Sequence, residues 1–328
     1  MHSISVVVPV YNSAASLPEL VTALADTLPA LTPTYELILV DDGSPDASWQ
    51  VIRELSAARP WVRGIALMRN YGQHNALLCG IRAAHHALIV TMDDDLQHPP
   101  EALPGLLAKL AEGYDVVYGT PQAERHGLWR DLASQITKLA LQSSMGVENA
   151  RKVSAFRVFR TQLRDAFATY QSPYVAIDVL LTWATTRFTA VTVAHAPRKY
   201  GSSNYTFRKL VTHALNMITG FSILPLQIAS LVGFTFTLFG LIVLVYVIGR
   251  YLIEGGSVPG FPFLASVIAI FSGAQLFALG IIGEYLARIH FRSMDRPVYT
   301  VRHTSESDPA ASQNQAPTPA RSDRDPNR

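Results

Sequence analysis

Short apolar runs alternate with amphipathic stretches through the first third of the chain. A helix is predicted between the first two runs, beginning at Ser16, where Glu19 three residues later completes a capping-box pattern. This alternation predicts an α/β fold with a mainly parallel sheet covered by helices. The runs that have the length of buried strands are residues 4–8, 36–40, 64–68, 87–92 and 115–118.

Two long uncharged stretches lie near the other end of the chain. No Asp, Glu, Lys or Arg occurs between Lys209 and Arg250, or from residue 255 to residue 283. The predicted spans, residues 226–248 and 263–282, would extend about 34 and 30 Å as helices, enough to cross a bilayer. A Gly- and Pro-rich turn joins them, so we predict a two-helix transmembrane hairpin, with two buried helices of a soluble core as the alternative.

Basic residues flank this hairpin unevenly, since only Arg250 lies in the short connection. Both ends of the hairpin are therefore predicted to be cytosolic. The single Cys79 and a strand that begins without a signal peptide also fit a cytosolic catalytic domain. The flanking basic residues are Arg198, Lys199, Arg208 and Lys209 before the hairpin and Arg288, Arg292, Arg296 and Arg302 after it.

These patterns predict a division of the chain into a cytosolic domain, a membrane region and a tail. Within the first, apolar residues at helical spacing and a basic face predict an amphipathic interface helix near 127–146, with ordinary core packing as the alternative. The tail lacks aromatic, Val, Ile, Leu and Met residues and is predicted to be disordered. The predicted segments are 1–209, cytosolic domain; 210–290, membrane region; 291–303, cytosolic return segment; and 304–328, tail.

Composition excludes several function classes. With 49% hydrophobic and 16% charged residues among 328, the chain is too apolar for a purely soluble protein. Its net charge of +2 gives no bulk attraction to nucleic acid. Neither a Gly-x-Gly-x-x-Gly nor a P-loop pattern is present, so dinucleotide and P-loop sites lack their anion-binding backbone.

Aspartates follow the predicted strands. Asp93, Asp94 and Asp95 come after one apolar run, and Asp41 and Asp42 after another. In an extended backbone Asp93 and Asp95 would share one face, and their hard oxygens suit Mg2+ or Mn2+ bridging to phosphates. A solvated acidic turn is the alternative. Because strand ends of α/β sheets bind ligands, the pattern predicts a nucleotide site.

Five strings in fixed order carry a resemblance that covers about residues 4–302. The chain resembles family 2 glycosyltransferases with a GT-A fold, in the branch that uses polyisoprenyl phosphates. That branch includes undecaprenyl-phosphate aminoarabinose transferases, undecaprenyl-phosphate glucosyltransferases and dolichyl-phosphate mannose synthases, and the third string is most similar to the aminoarabinose group. The strings are Val-Pro-Val-Tyr-Asn (8–12), Asp-Asp-Gly-Ser (41–44), Arg-Asn-Tyr-Gly-Gln-His (69–74), Asp-Asp-Asp-Leu-Gln-His-Pro-Pro (93–100) and Gly-Glu-Tyr-Leu-Ala-Arg-Ile (283–289).

The resemblance implies transfer of a sugar, with inversion, from a nucleotide donor, commonly UDP-linked, to a lipid phosphate, commonly undecaprenyl phosphate. It implies a multi-pass protein of the bacterial plasma membrane that modifies envelope glycans, and a homo-oligomer, commonly a tetramer. It leaves the sugar, the nucleotide base and the prenyl length open.

The same resemblance implies roles for individual residues. Metal-binding positions are Asp95 and Gln97, and catalytic positions are Asp93, Asp95, Arg130 and Ser134. Arg125, Arg130 and Ser134 would hold the acceptor phosphate. The implied nucleotide-sugar contacts are Pro9, Tyr11, Asn12, Asp41, Asp42, Asp93, Asp94, Asp95 and Arg198.

The chemistry of the acceptor limits what such a site must do. A phosphate monoester carries about 1.5 to 2 negative charges at neutral pH and is already a nucleophile. The enzyme then needs no general base, and its tasks are to neutralise the leaving diphosphate and to position the acceptor. We therefore interpret Asp93 and Asp94 as groups that orient the donor, with a base role for either as the alternative.

Three positions depart from the family pattern. Ser13 stands in place of Glu, Asn204 in place of Lys and Asp94 in place of a small residue. Residues 171–184, including Asp178, match no sugar-specific pattern. Two rival functions stay open: a processive polysaccharide synthase, which should carry a Gln-x-x-Arg-Trp string that is absent, and a non-catalytic membrane scaffold, which should have lost Asp95 or Gln97.

Overall fold

The computed structural model describes residues 2–121, 153–172, 175–194, 224–254, 260–294 and 296–305. Each of the five apolar runs that we predicted as strands forms one. Short 3-10 turns lie at Pro100–Ala102 and Thr161–Phe167. The strands and helices are β1 Ile4–Val10, α1 Leu17–Leu31, β2 Tyr35–Asp41, α2 Ser48–Ala58, β3 Val62–Leu67, α3 Gln73–Ala83, β4 Leu88–Thr91, α4 Leu103–Ala111, β5 Val116–Pro121, β6 Arg157–Arg160, α5 Ile177–Thr182, β7 Phe188–Val193, α6 Leu224–Glu254, α7 Phe261–Ser293 and β8 Val301–Thr304.

The strands form one mixed sheet of eight in the order β7-β5-β6-β4-β1-β2-β3-β8. Strand β1 pairs in parallel with both β2 and β4, and β2 pairs in parallel with β3. Only the pairs that involve β6 or β8 are antiparallel in the described sheet. This arrangement confirms the predicted α/β fold, and the order of the strands reverses between β1 and β4, the kind of position where open sheets bind ligands.

The sheet has an apolar core on each face. Along β1, Val7 packs into the core that contains α3 and α5, whereas Val6 and Val8 pack into the core that contains α1, α2 and α4. Successive side chains of a strand point to opposite faces, so a strand covered on both sides must be apolar throughout. Every residue of β1 is buried accordingly.

The start of α1 differs from the predicted capping box. Ser16 is the N-cap, but its hydroxyl donates to the Ser13 carbonyl at 3.1 Å and makes no capping bond to the helix. The backbone N–H groups of Ser16 and Leu17 donate to the same carbonyl at 3.0 and 3.3 Å. A tight turn before the helix therefore replaces the capping box, and that prediction was wrong.

Helices α6 and α7 contain both predicted spans. Segments Pro225–Ile253 and Ile270–Phe291 are long and apolar enough to cross a membrane, and their most apolar windows are not buried in the protein. The helices contact each other where the rings of Phe236 and Phe271 lie 5.6 Å apart at an angle of 76°. Unburied apolar surface of this length matches a lipid environment better than a soluble core.

The chain returns to the sheet after α7. Strand β8 pairs antiparallel with β3, and the N–H of Ser305 donates to the Gly64 carbonyl at 2.9 Å. The disordered tail was predicted to begin at residue 304, but Thr304 belongs to β8. Backbone pairing along an otherwise unpaired edge orders these residues without apolar side chains, which is why composition did not reveal them.

A buried ion pair joins β6 to α5. The guanidinium of Arg157 donates to Asp178, which also accepts a hydrogen bond of 3.1 Å from the Tyr118 hydroxyl. Arg157 donates through Nε to the Thr91 hydroxyl at 2.9 Å, and Arg157 is only 2% exposed. Thr91 ends β4 two residues before Asp93, so this network fixes the strand from which the acidic residues project. It also gives a structural role to Asp178, in a segment that matched no sequence pattern.

Removing one partner of this pair should destabilise the fold severely. In Asp178→Ala, Arg157 would stay buried without its carboxylate, which costs about 3–5 kcal/mol. The double variant Arg157→Met, Asp178→Leu removes both charges and should recover most of the lost stability. Thermal unfolding of the full chain in detergent measures both variants.

The exposed pair of Lys109 and Glu112, at 2.6 Å, supplies the control. We expect Lys109→Ala to leave the unfolding temperature unchanged, because solvent screens exposed pairs. Equal unfolding temperatures for wild type and Asp178→Ala would contradict the role of the buried pair.

Candidate active site

The predicted donor-site residues meet at the carboxyl edge of the parallel strands. Tyr11 and Asn12 follow β1, Asp42 follows β2, and Asp93 follows β4, while β1 and β2 are in register as far as Val10 opposite Asp41. Pro9 lies inside β1 and is buried, whereas Tyr11 is 44% exposed. The structure therefore gathers these residues at one edge, and their contacts with a donor remain predictions.

Asp42 anchors the loop that follows β3, which we call the Tyr-Gly loop (residues 69–74). Its two carboxylate oxygens accept the N–H groups of Tyr71 and Gly72 at 2.7 and 2.8 Å. Asp42 is 2% exposed, and burial raises its pKa although both hydrogen bonds oppose the shift. Sequence reasoning assigned Asp42 to the nucleotide and missed this anchoring role.

Close backbone contact accompanies that anchor. Gly43 has φ +68°, and a Cβ added there would lie 2.6 Å from the backbone carbon of Arg69. A side chain at this position would therefore be strained in its own conformation and would also push the Tyr-Gly loop away. The glycine of the Asp-Asp-Gly-Ser string is thus needed for the approach of two loops as well as for a turn.

The loop after β1, which we call the first loop (residues 11–16), is fixed by the loop after β2. The N–H of Asn12, a residue with φ 57°, donates to the Ser44 hydroxyl at 3.1 Å, and the Ser44 N–H donates to Asp41 at 3.2 Å. The N–H of Ser13 donates to the Ser48 hydroxyl at 2.9 Å. Asp41 therefore acts through Ser44 on the first loop, and burial raises the pKa of Asp41.

The acidic loop after β4 (residues 92–99) is not extended. Strand β4 ends at Thr91, residues 94–96 form a bend, and Leu96 has φ 59°. The expectation that Asp93 and Asp95 share one face of an extended strand was therefore wrong. The backbone bends at Asp94 and Asp95 themselves, so the alternation of a strand does not apply to them.

The outer aspartates of the acidic loop have different partners. Asp93 accepts a hydrogen bond of 2.6 Å from the Gln73 side chain, which ties the acidic loop to the Tyr-Gly loop. Asp95 accepts the N–H of Gln97 at 3.1 Å, a local turn that brings the two predicted metal-binding positions together.

Asp94 faces the first loop. Its carboxylate lies close to the Ser13 hydroxyl and the Tyr11 N–H, and burial raises its pKa to about 6. The Ser13 hydroxyl also lies 3.1 Å from the Tyr11 carbonyl. Two of the three departures from the family pattern, Ser13 and Asp94, are therefore in contact. In this chain Asp94 brings a carboxylate close to the first loop. In the family pattern the carboxylate belongs to a Glu at position 13, within the first loop itself.

Oxygen ligands for a hard divalent ion are present, but they are few. No group of three His, Cys, Asp or Glu side chains that could hold a metal occurs within the described ranges. Mg2+ characteristically binds one or two carboxylates and completes its shell with water and substrate phosphates. Asp95 with Gln97 fits that kind of site, in which the donor diphosphate supplies the remaining oxygens.

Four predicted site residues and one predicted element lie outside the described residues. They are Arg125, Arg130, Ser134 and Arg198, with the interface helix near 127–146. Their assigned roles toward the acceptor phosphate and the donor diphosphate remain predictions. Asn204, the third departure from the family pattern, also lies outside the described ranges.

Comparisons with known proteins identify relatives of this chain. The family profile described as Glycosyl transferase family 2 matches residues 5–170. The chain is 36% identical over 306 residues to the undecaprenyl-phosphate 4-deoxy-4-formamido-L-arabinose transferase of Proteus mirabilis (strain HI4320), covering 92% of this chain and 94% of that protein. It is 35% identical to the protein of the same name from Salmonella choleraesuis (strain SC-B67), covering 92% and 93%.

Among solved structures, glucosyl-3-phosphoglycerate synthase of M. tuberculosis is similar with a TM-score of 0.49 and 19% identity, over 66% of this chain and 78% of that one. The profile match and the curated relatives establish the family independently of this structural likeness. The chain belongs to glycosyltransferase family 2.

Proposed function

We propose that this glycosyltransferase moves a sugar, with inversion, from a UDP-linked donor to undecaprenyl phosphate. One observation carries the proposal. The first loop, the Tyr-Gly loop and the acidic loop are bonded together at the switch point of the sheet, in a chain that also has two unburied apolar helices. The curated relatives, which are named for undecaprenyl phosphate and match more than nine tenths of the chain, support the acceptor.

The donor would lie across the first loop and the acidic loop. The exposed ring of Tyr11 offers a face for a nucleotide base, since aromatic rings stack on bases of any sequence. Asp41 and Asp42 are engaged with backbone N–H groups, so we propose that they act mainly by holding the loops that contact the nucleoside. Pro9 and Asn12 complete this side of the site.

A divalent cation would be held by Asp95 and Gln97. When bound, Mg2+ or Mn2+ would stabilise the negative charge of the diphosphate leaving group. Asp93, held by Gln73, and Asp94, held by the first loop, would orient the sugar. Arg198 would add positive charge at the diphosphate.

The acceptor supplies its own nucleophile, a phosphate oxygen. Arg130 and Ser134, with Arg125, would place that oxygen opposite the leaving diphosphate, and attack from that side inverts the anomeric carbon. Positioning two charged reactants in this way accounts for a large share of rate enhancement without a general base.

We also propose a cellular location for the protein and the donor sugar that should be tested first. The apolar spans and their basic flanks support a position in the bacterial plasma membrane with the catalytic domain in the cytosol. The names of the curated relatives make 4-deoxy-4-formamido-L-arabinose the first sugar to examine.

Transfer to membranes that contain undecaprenyl phosphate tests the function directly. The purified full chain is incubated with a panel of UDP- and GDP-linked sugars, including UDP-4-deoxy-4-formamido-L-arabinose, and lipid-linked product is measured by mass spectrometry. We expect product from a UDP-linked donor only when undecaprenyl phosphate is present. Product on a growing glycan instead would support a processive synthase, and no product with any donor would support a scaffold.

Asp95→Asn should abolish Mn2+-dependent binding of UDP and lower transfer at least about 100-fold, because Asp95 supplies the one negative charge of the two proposed protein ligands. UDP affinity is measured by calorimetry with and without Mn2+. Glu101→Gln is the matched control, since Glu101 is an exposed carboxylate six residues away. Near-normal turnover in Asp95→Asn would remove the metal role from this residue.

Arg130→Ala should chiefly raise the KM for undecaprenyl phosphate and leave UDP affinity unchanged, because it removes a charged hydrogen-bond donor from the acceptor phosphate. Lys138→Ala, which removes a positive charge two turns along the same predicted helix, is the control. An acceptor KM that does not change in Arg130→Ala, or that changes equally in Lys138→Ala, would contradict the assignment.

A further inference from the structure

A groove separates the Tyr-Gly loop from the segment that leaves α7. It has a volume of about 420 Å3, and we call it the headgroup groove, with Arg69, Tyr71, Asn75, Phe291 and Arg296 in its wall. Arg69 and Tyr71 come from the loop after β3, whereas Phe291 and Arg296 come from the end of α7 and the return segment. The groove therefore joins the donor-site edge of the sheet to the end of a candidate membrane span.

The wall of the groove is positively charged. Arg69 and Arg296 are both exposed, and no acidic residue belongs to the part of the wall that the structure describes. The guanidinium of Arg69 lies 4.4 Å from the centroid of the Tyr71 ring, which orients it. The nearby Asp42 attracts Arg69, but the oxygens of Asp42 already accept two N–H groups. Two guanidinium groups facing one cavity are well suited to a phosphate.

Asn75, in the wall of the groove, has a side-chain oxygen that receives no hydrogen bond from the described residues. Its side-chain amide donates to the Tyr71 carbonyl at 2.6 Å, which fixes the orientation of the carboxamide. Asn75 is 9% exposed, and its Oδ1 accepts no hydrogen bond from the part of the chain that the structure describes. A buried acceptor of this kind is costly unless a donor reaches it. Oδ1 itself has almost no accessible surface, so Asn75 shapes the wall and holds the Tyr71 carbonyl without facing a ligand.

The position of the groove indicates where its ligand comes from. Phe291 is the last residue of the candidate span Ile270–Phe291 and is 43% exposed. The groove thus begins where the apolar helix ends, at the depth of lipid headgroups rather than in open solvent. An apolar residue beside two cations matches a molecule that has a phosphate joined to an acyl region.

We propose that the headgroup groove binds an anionic glycerophospholipid, the chemistry of phosphatidylglycerol. Its phosphodiester lies between Arg69 and Arg296, and its acyl chains follow α7 past Phe291. Binding also gives Arg69 of the Tyr-Gly loop a further partner, and so restricts the loop that is bonded to Asp42 and Asp93. Anionic lipid therefore strengthens donor binding, a consequence that rests on the proposed function.

Lipid binding is measured first, without any turnover. The full chain in detergent is titrated with phosphatidylglycerol or phosphatidylcholine, and bound lipids are counted by native mass spectrometry. We expect phosphatidylglycerol to bind at least fivefold more tightly than phosphatidylcholine. Arg69→Gln and Arg296→Gln should each lose this preference.

Arg302→Gln is the matched control, since Arg302 lies six residues beyond Arg296, on exposed β8, outside the groove. It should keep the preference for phosphatidylglycerol. Equal loss in Arg302→Gln would show a general surface charge and overturn the proposal, as would equal binding of the two lipids by wild type.

Two further measurements separate the sources of phosphate. Millimolar inorganic phosphate should not displace phosphatidylglycerol, and displacement would identify a site for soluble phosphate instead. In nanodiscs of phosphatidylcholine, Arg296→Gln should leave the KM for undecaprenyl phosphate unchanged, and an increased KM would show that the acceptor occupies the groove.

UDP affinity in nanodiscs tests the coupling to the donor site. It should rise with phosphatidylglycerol content in wild type and stay constant in Arg296→Gln. An affinity that is independent of lipid in both would overturn the coupling. If no sugar transfer is found at all, the lipid titration still gives its own answer, so failure of the proposed function and failure of the groove are distinguishable.

Discussion

Buried carboxylates that accept backbone N–H groups from neighbouring loops are the interaction on which the site depends. Asp42 is almost fully buried and holds two successive N–H groups of the Tyr-Gly loop at 2.7 and 2.8 Å. Asp41 acts in the same way on the first loop through Ser44, and the half-buried Asp94 lies close to the Tyr11 N–H and the Ser13 hydroxyl. Because an unpaired buried carboxylate is costly, each loop has one favourable position. The donor site, which the three loops form, therefore has its conformation before a nucleotide binds.

Strand positions could be predicted from the sequence because the physics behind them is local. A strand buried on both faces must be apolar at successive positions, and β1 shows this at each residue. The two apolar helices were predictable for the same reason, since a span in lipid excludes charge over its length. Strands β6, β7 and β8 were not predicted. Strand β6 has only four residues with an arginine at each end, and β7 and β8 are edge strands whose side chains are partly exposed, so all three leave little apolar pattern.

The geometry of the site was less predictable, since it depends on contacts between distant residues. The bond from Tyr71 to Asp42 and the bond from Gln73 to Asp93 each join separate strand ends. The bend at residues 94–96 ended the alternation expected for Asp93 and Asp95, and nothing in the run of aspartates indicates it. In the sequence, Ser13 and Asp94 are two unrelated departures from the family pattern. The structure shows that the two side chains are neighbours, which explains why both positions differ.

The return strand β8 limits how far the catalytic domain can move from the bilayer. Val301 lies only eight residues after Ser293, the end of α7, so the connection can extend about 28 Å at most. Pairing of β8 with β3 attaches the far end of that short connection to one edge of the sheet. Height and tilt of the domain above the lipid are thereby restricted, and a water-soluble donor and a membrane-bound acceptor can meet at one fixed level.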